Sequence, residues 1–268
     1  VWDFNGASNL DWLQERLRAH GMVRRLKKDV LTELPPMRRQ VIELPATGVE
    51  KVVEQENQAW KKREKVLSEI KVRIAQTKAS KDEKGYFAAV KGLKDEAQAS
   101  FTEIFALRHK GALAKLPMVL DYLHSILDNE ERKVVVFGHH QDVVEQIYQE
   151  FVATAVLAHG GITKEKRQEA VEWFQKSSPR QCNLFVGSIG AMGTGHTLTA
   201  SAHGVLAELP WVPGEVSQVE ARLHRKTQEN QVLFQHLVLE GSLDARVAKR
   251  IVEKQEIINQ ALDEGRMT

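Results

Sequence analysis

The sequence predicts an α/β fold: a parallel β-sheet with helices on both faces, preceded by a helical insertion and an N-terminal linker segment. Three observations carry this. Short, nearly continuous apolar runs recur through residues 116–268, as strands buried on both faces require. Amphipathic stretches alternate with them, the pattern of strand–helix–strand units with right-handed crossovers. Residues 48–115, rich in Glu, Lys, Gln and Ala, carry apolar positions at helical spacing instead.

Residues 1–45 read as a linker. They hold the basic stretch Arg24-Arg25-Leu26-Lys27-Lys28-Asp29-Val30-Leu31, then Leu34-Pro35-Pro36, whose prolines break any helix. Arg39 to Leu44 reads as a short extended segment. Residues 46–115 read as a helical protrusion. Val66, Leu67, Ile70 and Ile74 form one stripe, Thr77 to Gly85 reads as a loop, and a second helix is expected from Tyr86 to Lys110. A hairpin that only packs and spaces its neighbours fits this region as well as a functional one. In residues 116–268 the expected strands are 134–137, 155–158, 183–186, 205–209 and 232–234, and the expected helices 142–151, 164–175, 216–224 and 243–262. Ligands of such sheets bind beyond the carboxyl ends of the strands, so the loops there are the candidate sites.

Composition bounds the function. At 268 residues, 42% hydrophobic and 28% charged, the chain fits one large globular domain or a domain with an appendage. No run of 18 apolar residues and no secretory signal occurs in it. Cys182 is the single cysteine, which excludes an internal disulfide and fits an intracellular setting: cytoplasm or nucleoid in a bacterium or phage, nucleus in a eukaryote. The net charge of +2 conceals an asymmetry: residues 1–115 hold 23 Lys/Arg against 16 Asp/Glu, and the rest hold 15 against 20. A basic half suits phosphate backbones; a solvated helix surface accounts for it too.

Three loops carry candidate chemistry. Gly187 to Thr199 contains four glycines within nine residues, with Ser188 and Thr194 adding hydroxyls. Glycines let backbone amides approach a phosphate closely, although tight turns use them equally. After Pro210-Trp211-Val212-Pro213-Gly214 comes a helix with Gln218, Arg222 and Arg225 at spacings that share one face. Two arginines and a glutamine there make a clamp for phosphate oxygens; ordinary ion pairs with Glu215 or Glu220 fit the same spacing. His159-Gly160-Gly161-Ile162-Thr163 leads into a helix that Thr163 can cap, with Lys164 and Arg167 in its first turn. A capped helix without a ligand is equally simple. His139 and His140 follow the first of these strands; adjacent histidines with no cysteine nearby are poor metal geometry.

Together these loops resemble the second RecA-like lobe of superfamily-two helicases, and specifically the Swi/Snf-type DNA-translocating ATPases. Gln218 to Gln228 is similar to that family's motif VI, Ser188 to Thr199 to motif V, Val134 to His140 to motif IV, and His159 to Arg167 with Phe174 to the segment between IV and V. Val23 to Leu31 with Leu34-Pro35-Pro36 resembles the signature leaving the first lobe. The short helical insert and Val136-Phe137-Gly138-His139-His140 look closest to the annealing-helicase branch. The chain departs from the pattern at Ala221, Thr227, His196, Thr197 and Val212, where Asp, Gly, Leu, Asn and Asn are usual.

The resemblance implies a half-site. No glycine is followed by lysine, so the chain holds no Walker A loop, and Asp95-Glu96-Ala97-Gln98 follows no buried strand. ATP and Mg2+ are then expected to sit mainly on an N-terminal lobe, which precedes Val1, lies on another chain, or is missing. The resemblance assigns Arg225 the arginine-finger role, Arg222 a second phosphate or interlobe contact, and Gln218, Gly193 and Gly195 nucleotide contacts. It assigns DNA contacts to His139, His140, Gly160, Thr163, Arg167, Ser188, Gly190 and Thr194. The implied partners are duplex or forked DNA, bound without sequence preference, and the N-terminal lobe itself. The alternative is a catalytically silent lobe that binds DNA or protein.

Overall fold

The computed structural model describes residues 9–23, 31, 33–79, 83–128, 131–192, 195–210, 212–246 and 248. Arg24 to Val30 of the expected linker signature, Gly193, Thr194, Trp211 and most of the expected helix 243–262 lie outside the described residues.

Six strands form one all-parallel sheet: β1 (Met37–Leu44), β2 (Val134–Gly138), β3 (Ala155–Ala158), β4 (Leu184–Ser188), β5 (His203–Leu206) and β6 (Val232–Leu239). Their order across the sheet is β1-β6-β5-β2-β4-β3. The helices are α1 (Leu10–Ala19), α2 (Glu50–Ala79), α3 (Glu83–Leu127), α4 (Gln141–Glu150), α5 (Lys164–Lys176), α6 (Ile189–Met192) and α7 (Pro213–Leu223).

The central strands explain why the fold reads so directly in sequence. Alternate residues of a strand face opposite sides, and here both sides are covered. Val135, Phe137, Phe185 and Phe234 pack against α5 and α7 through Val171, Phe174, Val216, Val219 and Leu223. Val134, Val136, Leu184, Val186 and Val205 pack against α3 and α4 through Val119, Leu123, Val143, Val144 and Ile147. Gly204 is needed by this packing: a Cβ there would meet the Phe234 ring at 2.4 Å.

Two regions differ from the expectation. The extended segment is a full strand of the sheet, with Met37–Leu44 paired in register to Val232–Leu239. It is an edge strand, and its exposed Arg38, Gln40 and Glu43 hide it from a reading based on apolar runs. The second insertion helix runs on from Glu83 to Leu127, through Pro117. Its outer part pairs with α2 as a hairpin, and its last turns belong to the sheet's core. The expected division at residue 115 therefore falls inside one continuous helix.

Candidate functional site

Because every strand is parallel, the segments after β2, β3, β4, β5 and β6 all leave the sheet at one rim. The glycine-rich segment leaves β4 there, forms the short helix α6, and descends towards the start of β5. Ser188 is the buried last residue of β4, and Gly190 lies exposed on α6 with open space around it. Gly195 takes φ +80°, a conformation in which L side chains are strained.

The tail of this segment meets the two arginines. Leu198 N donates to the Arg222 carbonyl at 2.9 Å. Arg225 donates from Nη1 to Thr197 Oγ1 at 2.8 Å and from Nε to the Ala221 carbonyl at 3.0 Å. Thr199 Oγ1 lies 3.1 Å from Thr227 Oγ1, and Gln228 Nε2 donates to the carbonyls of Thr199, Ser201 and Leu223. The two stretches are thus stitched together at five points by groups far apart in sequence.

Helix α7 corrects the expectation of one helical face. It ends at Leu223, so Arg222 sits in its last turn and Arg225 in the turn beyond. His224 Nε2 lies 2.8 Å from the Pro35 carbonyl, just ahead of β1. The arginines therefore stand at the foot of α7, away from the rim where the helix begins. Arg222 is 8% exposed, Arg225 is half-buried and Gln218 is exposed. Glu220 binds neither arginine; its buried carboxylate takes a bidentate pair from Arg39 of β1 at 2.6 and 2.7 Å.

His196 marks where the cations converge. Burial, then the charges of Arg167, Arg222, Lys164 and Arg225, lower its pKa. Burial and Arg225 likewise lower that of Arg222. In sequence His196 and Thr197 show only as departures from the motif V pattern, and the glycines around them give the stronger local signal.

The loop after β3 is built as expected at its cap: Thr163 Oγ1 accepts from Lys166 N at 3.4 Å. Gly160 is exposed, and a side chain there would meet nothing within 4 Å. Arg167 folds back, donating from Nη1 to the carbonyls of Ile162 at 2.9 Å and His159 at 3.3 Å.

The histidines after β2 are engaged by a carboxylate. The backbone amides of His139 and His140 donate to Glu208 Oε2 at 2.7 and 2.9 Å, and His140 Nδ1 lies 2.6 Å from Oε1. Burial raises the Glu208 pKa, but the His140 contacts outweigh it and leave it lowered. Burial, then His140, lowers that of His139. Among the described residues no group of three or more His, Cys, Asp or Glu could hold a metal ion. No described helix is long and apolar enough to cross a membrane.

Comparison with known proteins agrees with this architecture. The family model for the helicase conserved C-terminal domain matches residues 114–227. The human (Homo sapiens) protein "DNA annealing helicase and endonuclease ZRANB3" is 32% identical over 267 residues, covering 98% of this chain and 22% of that protein. The Xenopus tropicalis "SWI/SNF-related matrix-associated actin-dependent regulator of chromatin subfamily A-like protein 1" is 30% identical over 263 residues, 97% of this chain and 25% of that one. The chain thus spans about a quarter or less of these relatives. The crystal structure of the C-terminal part of the Fun30 ATPase domain superposes with a TM-score of 0.56 at 14% identity, covering 86% of this chain and 98% of that one. That likeness concerns the fold.

Proposed function

Given that the chain is the C-terminal, RecA-like lobe of a Swi/Snf-type superfamily-two helicase, we propose that it completes the ATP site of a DNA-dependent ATPase and carries part of its DNA track. One observation supports this most: the segment Ser188–Thr199 bears on both sets of cations. Its tail holds Arg225 through Thr197 and lies against Arg222, and its His196 also feels Arg167 and Lys164.

Phosphoryl transfer depends on positioning and on stabilising charge. In this proposal a first lobe holds ATP and its Mg2+, which neutralises phosphate charge when bound. Arg225 exchanges its neutral Thr197 partner for a γ-phosphate oxygen. Arg222, two residues from the Arg39-clamped Glu220, steadies the phosphate or the lobe interface, and Gln218 and Gly195 line the nucleotide side. Thr163, Arg167, Gly160, Ser188, Gly190 and the His139–His140 loop face the DNA backbone. Groups of this kind read phosphates and not bases, so binding is sequence-independent and weakens steeply with salt.

The test is turnover in the full-length protein. Arg225→Ala should lower DNA-stimulated ATP hydrolysis by roughly a thousandfold, with ATP binding retained. Near-normal turnover refutes the assignment and leaves the silent lobe as the better account.

A further inference from the structure

A single turn of α3 touches the loop proposed to meet DNA and the segment that leads into α7. Arg108, with its side chain 9% exposed, donates from Nη2 to the Leu209 carbonyl and to Asp244 Oδ1 at 3.2 Å. Leu209 lies four residues ahead of Pro213, where α7 starts. The next residue, His109, places Nε2 at 2.7 and 2.9 Å from the two carboxylate oxygens of Asp142, in the first turn of α4. Its ring stacks on His140 at 4.1 Å and 19°. One turn earlier, Phe105 packs edge-on against His139 and His140 at 5.3 and 5.8 Å. Asp244, after β6, is pinned from its other side by Lys115, whose Nζ also donates to the Leu237 carbonyl at 2.9 Å.

We infer that Arg108 and His109 are positioning residues for the reaction: Arg108 fixes the head of α7, and so the stance of Arg222 and Arg225 at its foot, while His109 fixes the loop proposed to meet DNA. This rests on the reading given under Proposed function. The physics is that of a rigid rod. Helix α7 has 11 residues, a length of about 16 Å, and a displacement at one end is carried to the other. Arg108 is suited to the task because its Nη2, carrying two N–H groups, meets two acceptors at once, joining the segment before α7 to the segment after β6. Since Arg108 and His109 are consecutive on one helix, a shift of the His139–Asp142 loop reaches Leu209 without passing through the sheet. The insertion is then a strut between the DNA-facing and nucleotide-facing segments.

The experiment compares variants in the full-length protein. Arg108→Met keeps the aliphatic stem and removes the donors. Saturated DNA-stimulated turnover should fall about tenfold or more, as a misplacement on the order of 1 Å does. ATP and duplex-DNA affinities should stay within about twofold, the signature of an interaction used in the transition state. Arg108→Lys, which keeps a cationic donor on a shorter reach, should recover part of the loss. His109→Ala should raise the DNA concentration needed for half-maximal stimulation more than it lowers maximal turnover. Arg225→Ala is measured beside them: if it hydrolyses ATP normally, the proposed function itself fails. If it is inactive while Arg108→Met and Arg108→Lys turn over like the wild type, the positioning role is overturned. The role also falls if the Lys variant loses turnover only in proportion to folded protein lost, as measured by circular dichroism.

Discussion

Two groups of cations in this lobe are held in opposite ways. Arg225 and Arg167 direct their hydrogen bonds to neutral oxygens: Thr197 and Ala221 for one, His159 and Ile162 for the other. Arg39, Arg108 and Lys115 are committed to carboxylates, on Glu220 and Asp244. A cation resting on a neutral oxygen keeps its full charge for an incoming anion, and the exchange is favourable because charge-assisted bonds are the stronger kind. A cation already paired in a buried site cannot leave without stranding its partner. The first group can therefore exchange partners, as the proposed function requires, and the second holds the scaffold.

The sharpest way to break this distinction is to exchange function for stability. Lys115→Met should cost the fold about 3 kcal/mol, the penalty for breaking a buried pair by removing one partner, seen as a lowered urea midpoint. Arg225→Ala should leave that midpoint nearly unmoved. If Arg225→Ala destabilises the lobe as much as Lys115→Met, the two groups are not distinct.

Two buried titrating groups should pull stability in opposite directions with pH. Burial, only partly offset by the Leu243 amide, pushes the Glu56 carboxyl up to about 7 from its ordinary 4.5. Its contribution to stability is full below about 4.5 and is lost as pH rises through 7. Burial, and then Arg39, brings His236 down to about 4 from 6.5. Its contribution is full above about 6.5 and is lost as pH falls through 4. Each effect is on the order of 3 kcal/mol, so in the wild type they partly cancel between pH 4.5 and 6.5. Glu56→Gln should unmask a fall in stability towards acid, and His236→Leu a fall towards neutral pH. Urea unfolding across this range checks both; matching profiles for the two variants would show that neither group carries the linkage.

The smallest effect separates local structure from ligand contact at Thr163. Thr163→Ala removes a helix cap and should cost about 1 kcal/mol. Thr163→Asn, which keeps the cap, should recover most of it. A Thr163→Asn variant as unstable as Thr163→Ala would show that the cap is not what the threonine supplies.

The contrast also explains what could be read from the sequence. The other five strands, β3 at the opposite edge included, were legible because a sheet covered on both faces leaves continuous apolar runs, as in Val134-Val135-Val136-Phe137. The edge strand β1 was not recognised as part of the sheet: its polar residues face solvent, and the partner of Arg39 lies 181 residues away. The glycines and the Arg222–Arg225 pair were legible through local spacing and resemblance. That Arg225 stands beyond the end of α7 was not, since no glycine or proline follows Leu223 to announce a stop. The buried cluster of Arg108, Lys115 and Asp244 was invisible for a simpler reason. Its members come from α3 and from the segment after β6, and a charged residue gives no local sign that a distant partner buries it.

Arg225 is proposed to serve the transition state of transfer from a phosphate held by another lobe. The most direct measurement compares binding of ATP with binding of ADP–aluminium fluoride, a transition-state mimic, in full-length wild-type protein and in Arg225→Ala. A group that acts in the transition state contributes little to ground-state affinity. The account predicts that Arg225→Ala binds ATP as the wild type does and loses most of its affinity for the mimic. Equal loss for both ligands, or no loss for either, would contradict it.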